Sequence, residues 1–246
     1  MATIIPVDRW TPAGPIRSHL PMDEIEREEG LAASSVAEPA ALGLFAFATG
    51  TFTQNIVNAG WFPATTLLYM VAPLLIMTGV VQFLAGMWAF RKGNTFAATA
   101  FGSFGGVNVA YTVFILLHQA GLVTGPSADM GVIGAFLASF ALIAAFLTVG
   151  ALWKNWGLVG MLFFLTLTFA LLGTGNIAGS PNLLHYGGWA GIISSLCAFY
   201  RGGAMAANSA SQRQLLPLGK PLDSAPTPAA LPASVPSDGH RGEALG

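Results

Sequence analysis

The sequence predicts an all-α integral membrane protein whose chain crosses the bilayer six times. Charged residues make up 9% of the 246 residues and hydrophobic residues 54%, whereas an ordinary soluble domain is about 25% charged. Six apolar runs are each close to the roughly 20 residues that cross the hydrocarbon of a bilayer. Between residues 40 and 208 the charged side chains are Arg91, Lys92, Asp129, Lys154 and Arg201.

The apolar runs divide the chain into a membrane domain, residues 39–209, and two tails. A buried soluble bundle is excluded because its outer helices need a charged face toward water, and these runs have none. Connectors such as RKGN and GNIAGSPN are rich in the Gly, Pro and Asn of turns. The predicted spans are residues 40–58, 65–90, 95–118, 130–152, 156–176 and 184–207.

The two tails differ from the membrane domain in composition. Residues 1–38 form a polar tail with an acidic cluster between Asp23 and Glu29. Residues 210–246 are rich in Pro, Ala and Ser, and such a segment buries too little apolar area to offset its chain entropy. We therefore expect this second tail to be disordered.

Lysine and arginine predict the orientation, because positively charged loops stay in the cytoplasm. Arg91 and Lys92 follow the second run, Lys154 follows the fourth, and Arg201 and Arg213 mark the end of the sixth. The other connectors have none. Both termini are therefore predicted in the cytoplasm of a multi-pass plasma membrane protein.

Several other classes of site and partner are excluded. The ten Lys and Arg residues are scattered and form no basic stripe, so no nucleic acid partner is expected. A single cysteine, Cys197, provides neither a disulfide framework nor a CxxC motif. Nothing pairs His118 with His185 as metal ligands, and the sequence predicts no cofactor and no metal.

The odd-numbered runs carry polar residues at helical spacing. At 100° per residue, positions three, four and seven apart fall on one helix face. On each of the three faces an apolar residue comes first along the chain, and residues with hydroxyl or amide groups follow it. Their members are Phe47, Thr51, Asn55 and Asn58 in the first run, Phe104, Asn108 and Tyr111 in the third, and Leu165, Thr168, Leu172 and Asn176 in the fifth.

These faces predict a narrow pathway. Phe47, Phe104 and Leu165 lie seven to nine residues after the predicted helix starts, which is roughly 11 to 13 Å of helix at 1.5 Å per residue. They can meet at one depth as an apolar constriction, with amide groups toward the outside. The alternative is that the polar faces are hydrogen-bonding contacts between helices. Since the helices contain no acids, we expect dipoles to hold any anion.

The even-numbered runs indicate packing faces, because small residues four apart let helices approach closely. The second run has Gly79, Gln82 and Gly86, and the sixth has Gly187, Gly191 and Ser195. His118 and His185 fall near the predicted outer ends, where a histidine can change its charge near neutral pH. A role of His185 in proton coupling is one interpretation.

Four stretches resemble the acetate uptake transporter family. They are RKGNTF with TAFGSFG (91–105), FALLGTGNIAG (169–179), LLHYGGWAGI (183–192) and LLPLG (215–219), and the resemblance covers residues 38–219. It implies a homohexamer in which each protomer has its own pathway for acetate, and for some members succinate, with protons. It also implies a constriction of Phe, Tyr and Leu, at positions that are Phe47, Phe104 and Leu165 here.

The chain departs from the family pattern at both the mouth and the third run. Glu38 replaces the amide that the family has before Pro39. This change places an acid at the cytoplasmic mouth, and Glu38 is therefore a second candidate for proton coupling. Phe104 lacks the usual phenol hydroxyl, and Val107 with Asn108 replaces a Phe-Trp pair, so a wider and more polar face is expected. Candidate hydrogen-bond donors to a carboxylate are Asn55, Asn58, Ser103, Asn108 and Asn176.

Three other functions are alternatives to proton-coupled carboxylate transport. A passive channel for acetate or another small solute such as ammonia needs the same narrow pathway, so the sequence leaves it open. A non-transporting membrane scaffold is left open by the two long tails. An intramembrane serine protease using Ser103 and His185 has no GxSG context, and we expect no enzyme activity.

Overall fold

In the computed structural model, which describes residues 36–123 and 130–220, the chain forms six long helices and, within those residues, no strand. The predicted tails at 1–35 and beyond 220, together with Asp129, lie outside the described residues. The helices are α1 (Ala40–Asn58), α2 (Ala64–Met70, Val71–Pro73, Leu74–Val81 and Gln82–Arg91 in succession), α3 (Thr95–Gln119), α4 (Met130–Ala151), α5 (Trp156–Ala178) and α6 (Pro181–Ser211).

Five of these helices, α1 to α5, are long and apolar enough to cross a membrane. The sixth helix, α6, has 31 residues and is longer than any of them, but its composition is less apolar and it carries Arg201. The prediction of an all-helical, multi-pass membrane protein is confirmed. The count of six crossings stays a prediction, since it depends on α6.

The helix starts follow from local sequence. Asn94 and Asn155 cap α3 and α5, because their side chains accept hydrogen bonds from the backbone N–H of Ala97 (3.1 Å) and Leu158 (2.9 Å). Pro181 occupies the first turn of α6, where its missing N–H costs no helical hydrogen bond. The connector between α5 and α6 is consequently a tight turn, and α6 starts three residues before the predicted 184.

The second helix departs from the regular α-helix that the apolar run suggested. Its first part, Ala64–Met70, is a 3₁₀ helix, and Leu74–Val81 is a π-helix. Pro73 lies between them, and a proline inside a helix removes one N–H and clashes with the carbonyl of the preceding turn. In the π-helical part the Thr78 hydroxyl donates to the carbonyl of Ala46 on α1 (3.2 Å).

Glycines set the closest helix contacts. On α2, a Cβ added at Gly86 would lie 2.8 Å from the backbone nitrogen of Gly102 on α3. On α6, a Cβ at Gly191 would lie 2.3 Å from the side-chain carbon of Asn55 on α1. The small residues of the second and sixth runs therefore do form packing contacts, and these fix the separation of α1 from α6 and of α2 from α3.

Residues 212–220 correct the prediction of a disordered tail from residue 210. The Asn208 side chain accepts hydrogen bonds from the N–H of Leu215 (2.7 Å) and Leu216 (2.9 Å). The Tyr200 hydroxyl donates to the carbonyl of Pro217 (2.8 Å), and the N–H of Trp156 donates to that of Lys220 (3.3 Å). These polar contacts order residues 212–220, here called the terminal strap, although their composition predicted disorder.

Gly86→Ala is expected to destabilise the protein by about 1–3 kcal/mol, because the added methyl group meets the backbone of Gly102. Thermal unfolding of the detergent-purified protein measures this. The control is Gly106→Ala on α3, where an added Cβ meets nothing within 4 Å and the better helix propensity of alanine applies. Equal melting temperatures for the two variants would contradict the close α2–α3 contact.

Candidate transport pathway

Two cavities lie inside the helix bundle, one after the other along α1, α3 and α5. The first, here called the basic cavity, has a volume of about 210 Å³ and is bordered by the starts of these three helices and by the last part of α6. Its end of the bundle is the one that carries the loop lysines and arginines. Its charged and amide lining consists of Glu38, Gln82, Asn94, Lys154, Asn155 and Arg201.

The second cavity, here called the amide cavity, lies farther along the same three helices and has a volume of about 40 Å³. At roughly 10–15 Å³ for one water, it has room for about three waters or one similarly small solute. The apolar part of its wall includes Val107, Leu137, Phe169 and Leu172. Its polar lining consists of Thr51, Gln54, Asn55, Asn108, Tyr111 and Thr168.

Three side chains border both cavities: Phe47, Phe104 and Leu165. They come from α1, α3 and α5 and are 3%, 3% and 2% exposed. The ring centroids of Phe47 and Phe104 are 6.3 Å apart, with an interplanar angle of 42°. The residues predicted to meet at one depth are thus together, and their apolar atoms separate the two cavities.

A row of aromatic rings behind Phe104 holds it in place. Phe104 stacks on Phe169 of α5 with centroids 6.0 Å apart, and Phe169 contacts Phe140 of α4 at 5.8 Å. Phe140 in turn packs edge-on against Phe136 at 5.2 Å. Phe169 was not among the residues predicted for the pathway, although it follows Leu165 by four residues and so shares its helix face.

The side-chain amides of Asn55 and Asn108 each keep one N–H that can donate to a ligand. The side-chain nitrogen of Asn108 donates to the carbonyl of Phe104 (2.7 Å), and that of Asn55 to the carbonyl of Thr51 (2.8 Å). An amide NH₂ has two hydrogens, so each residue retains one. The Thr168 hydroxyl donates to the carbonyl of Phe164 (2.8 Å), so toward the amide cavity its oxygen is an acceptor.

Not every predicted pathway residue lines a cavity. Five of the predicted polar residues line the amide cavity: Thr51, Asn55, Asn108, Tyr111 and Thr168. Three lie outside both linings. Asn58 donates to the side-chain oxygen of Asn55 (3.1 Å), Asn176 donates to the carbonyl of Leu172 (2.7 Å), and Ser103 lies on another face of α3. Asn58 therefore contacts Asn55, which lines the amide cavity, and does not line it itself.

The two candidates for proton coupling occupy different places. His185 is exposed, borders neither cavity, and its Nε2 accepts a hydrogen bond from the indole N–H of Trp189 (3.2 Å). Glu38 lines the mouth of the basic cavity and forms an ion pair with Lys92 (2.9 Å). Of the two, Glu38 is the residue that borders a cavity.

The basic cavity also contains groups that the sequence analysis did not assign to the pathway. Arg201, Lys154 and Gln82 all line it, so a cationic side chain is available to an anion and dipoles are not its sole partners there. The expectation that dipoles alone hold an anion is corrected to this extent. Among the described residues no group of three or more His, Cys, Asp and Glu side chains can hold a metal.

The fold is that of a helical membrane protein with two internal cavities, which three apolar side chains separate. Residues 28–218 match the GPR1/FUN34/yaaH family, and the chain belongs to it. The succinate-acetate/proton symporter SatP of Escherichia coli K12 is 33% identical over 76% of this chain and 97% of its own length. A solved structure of the bacterial acetate channel SatP superposes with a TM-score of 0.70 at 34% identity, covering 75% of this chain and all of that one.

Two further relatives are named for transport. The acetate permease A of Emericella nidulans is 32% identical over 76% of this chain, and the ammonia transport outward protein 3 of Saccharomyces cerevisiae is 33% identical over 73%. Each alignment covers 67% of the relative. The predicted family is confirmed, and these named relatives are transport proteins.

Leu165→Ala is expected to join the two cavities, because the truncated side chain no longer separates them. A cysteine at Asn108, introduced after Cys197→Ser, reports this when a charged thiol reagent is added at the face that carries Lys154. We expect labelling roughly tenfold faster in the Leu165→Ala background.

Leu167→Ala is the matched control, since Leu167 lies on the same helix and borders neither cavity. A cysteine at Lys154 reports access to the basic cavity itself and should react in all backgrounds. Fast labelling of the cysteine at 108 with Leu165 intact would contradict a closed constriction.

Proposed function

We propose that this protein carries acetate and related small monocarboxylates across the plasma membrane, through a pathway that runs from the amide cavity past Phe47, Phe104 and Leu165 to the basic cavity. The observation that supports the route is that these three side chains, one from each of three helices, border both cavities. The constriction is apolar, so a hydrated ion must shed water to pass it.

The positive-inside rule supports an orientation for this route. Arg91, Lys92, Lys154 and Arg201 lie at the end of the bundle that holds the basic cavity, and positively charged loops stay in the cytoplasm. In this orientation the basic cavity opens inward and the amide cavity lies toward the outside. With six crossings, the described part of the chain begins and ends in the cytoplasm.

The size and polarity of the amide cavity favour a small carboxylic acid. About 40 Å³ accommodates a two-carbon acid more readily than a four-carbon dicarboxylate. The free N–H of Asn108 can donate to a carboxyl oxygen, and the Thr168 oxygen can accept from its hydroxyl when the acid is protonated. Acetate is therefore the proposed main substrate, and succinate requires the wall around Asn108 to move.

The proton is proposed to cross with the carboxylate. Moving an ionised carboxylate past three apolar side chains without a counter-charge is costly, whereas the neutral acid loses far less solvation. Passage of the acid, or of anion and proton together, avoids most of that cost. Glu38 at the inner mouth is the candidate to exchange the proton with the cytoplasm, and His185 is the weaker candidate because it borders neither cavity.

A hexamer of such protomers, each with its own pathway, remains part of the proposal. Many large apolar side chains face outward, including Trp88, Phe90 and Phe146, which are 52%, 56% and 78% exposed. A membrane protein can cover such side chains with lipid or with neighbouring copies. Cross-linking of the purified protein in lipid nanodiscs tests the count of subunits.

Ammonia is a second candidate substrate, because a relative of 33% identity is named for ammonia transport. A neutral ammonia molecule is small enough for the amide cavity and needs no counter-charge at the constriction. Competition distinguishes the two. Unlabelled ammonium should leave labelled acetate uptake unchanged if acetate is the substrate, whereas propionate should reduce it.

Acetate uptake into proteoliposomes is expected to rise as the external pH falls at constant internal pH. More of the external acid is then protonated, and the inward proton gradient is larger. Labelled acetate measures the flux, and liposomes without protein correct for diffusion of the free acid. A protein-dependent flux that ignores the proton gradient would refute the coupling and leave a passive acetate channel.

Asn108→Leu is expected to lower acetate flux about tenfold or more, since one hydrogen bond to a charged or polar carboxyl group is lost while side-chain size is kept. Asn176→Leu is the matched control. Its amide makes the same bond to the carbonyl four residues earlier, at the same 2.7 Å, but lines neither cavity. Equal loss of flux in both variants would show that the amides act only in packing.

A further inference from the structure

Arg201 is the one charged side chain that is buried among the residues that the structure describes. It lies on α6, is 7% exposed, and lines the basic cavity. Its Nη1 donates to the side-chain oxygen of Asn155, the residue that caps α5. Its Nε is buried and has no hydrogen-bond partner within residues 36–123 and 130–220.

No acid neutralises this guanidinium within the described part of the chain. The ion pair found there joins Lys92 and Glu38 at the mouth of the basic cavity (2.9 Å), and it leaves Arg201 without a carboxylate. A buried charge without a counter-charge is costly. An anion in the basic cavity offsets that cost, which packing contacts cannot do.

The surroundings of Arg201 add to the positive potential. The starts of α1, α3 and α5 all border the basic cavity, and each helix start carries a partial positive charge from its unpaired N–H groups. Lys154 lines the same wall. Gln82 lines it too, and both polar atoms of its buried side chain lack a partner within the described residues, so an amide donor is also available.

We propose that the basic cavity is a binding site for one monocarboxylate anion, in which Arg201 holds the carboxylate and Lys154 and Gln82 complete the site. Guanidinium groups bind carboxylates through two parallel hydrogen bonds. This inference rests on the proposed function, because the carboxylate that occupies the site is the one that has passed the constriction. It explains why a buried arginine lies on a membrane helix where a neutral residue would insert more readily.

Equilibrium dialysis of the purified full-length protein with labelled acetate tests the site. We expect Arg201→Gln to weaken acetate binding about tenfold or more. Arg91→Gln removes the same charge from the same end of the bundle, outside the cavity lining, and is expected to bind acetate as the wild type does. Acetate binding that is unchanged in Arg201→Gln overturns the proposal.

Two further variants keep the test decisive if Arg201→Gln fails to fold. Arg201→Lys retains the charge but loses the two parallel N–H donors of the guanidinium group. Lys154→Gln changes an exposed side chain. Each variant is expected to weaken acetate binding several-fold. Wild-type affinity in both overturns the proposal. Chloride at equal concentration should not displace the acetate. If it competes as well as unlabelled acetate does, the assignment to a carboxylate is wrong.

Flux measured on the same preparations separates this site from the proposed function. Protein that carries acetate, and whose Arg201→Gln variant binds acetate unchanged, overturns the site and leaves the transport function intact. Wild-type protein that binds acetate through Arg201 but carries none supports the site and overturns the transport function.

Discussion

The parallel alignment of α1, α3 and α5 is the constraint on which the proposed pathway depends. Because the three helices start at one end of the bundle, their positive ends border one cavity, and residues eight to ten positions into each helix share one depth. A slip of one helix by a single turn, 5.4 Å, would remove its side chain from the constriction. The asparagine caps at Asn94 and Asn155 fix two of these starts.

The common depth of Phe47, Phe104 and Leu165 could be predicted from the sequence because depth along a helix follows from residue count alone. To predict that Phe47, Phe104 and Leu165 meet, only the shared helix face had to be known, and not the exact rotation of each helix. The amides were harder, since a face about 80° wide includes residues that point at a neighbouring helix. Asn58 and Asn176 lie on such faces but in the last turn of their helices, and the structure turns them toward another side chain and the backbone.

Long-range contacts explain what the sequence did not predict. Arg201 marked the orientation of the chain, but its buried position involves a hydrogen bond to Asn155, 46 residues earlier. The terminal strap depends on hydrogen bonds to Asn208 and Tyr200, which composition does not reveal. Pro73 directly precedes the π-helical part of α2 and is a local indication of an irregular helix. The apolar run that contains it was nevertheless predicted as one regular helix.

The terminal strap has a mechanical consequence. It is bonded to α6 through Tyr200 and Asn208 and to the first residue of α5 through Lys220, so the end of α6 and the start of α5 are tied together. Glycine contacts hold α6 against α1. The two walls of the proposed pathway that Phe47 and Leu165 provide are thus braced through α6, so movement of either wall must carry α6 and the terminal strap with it.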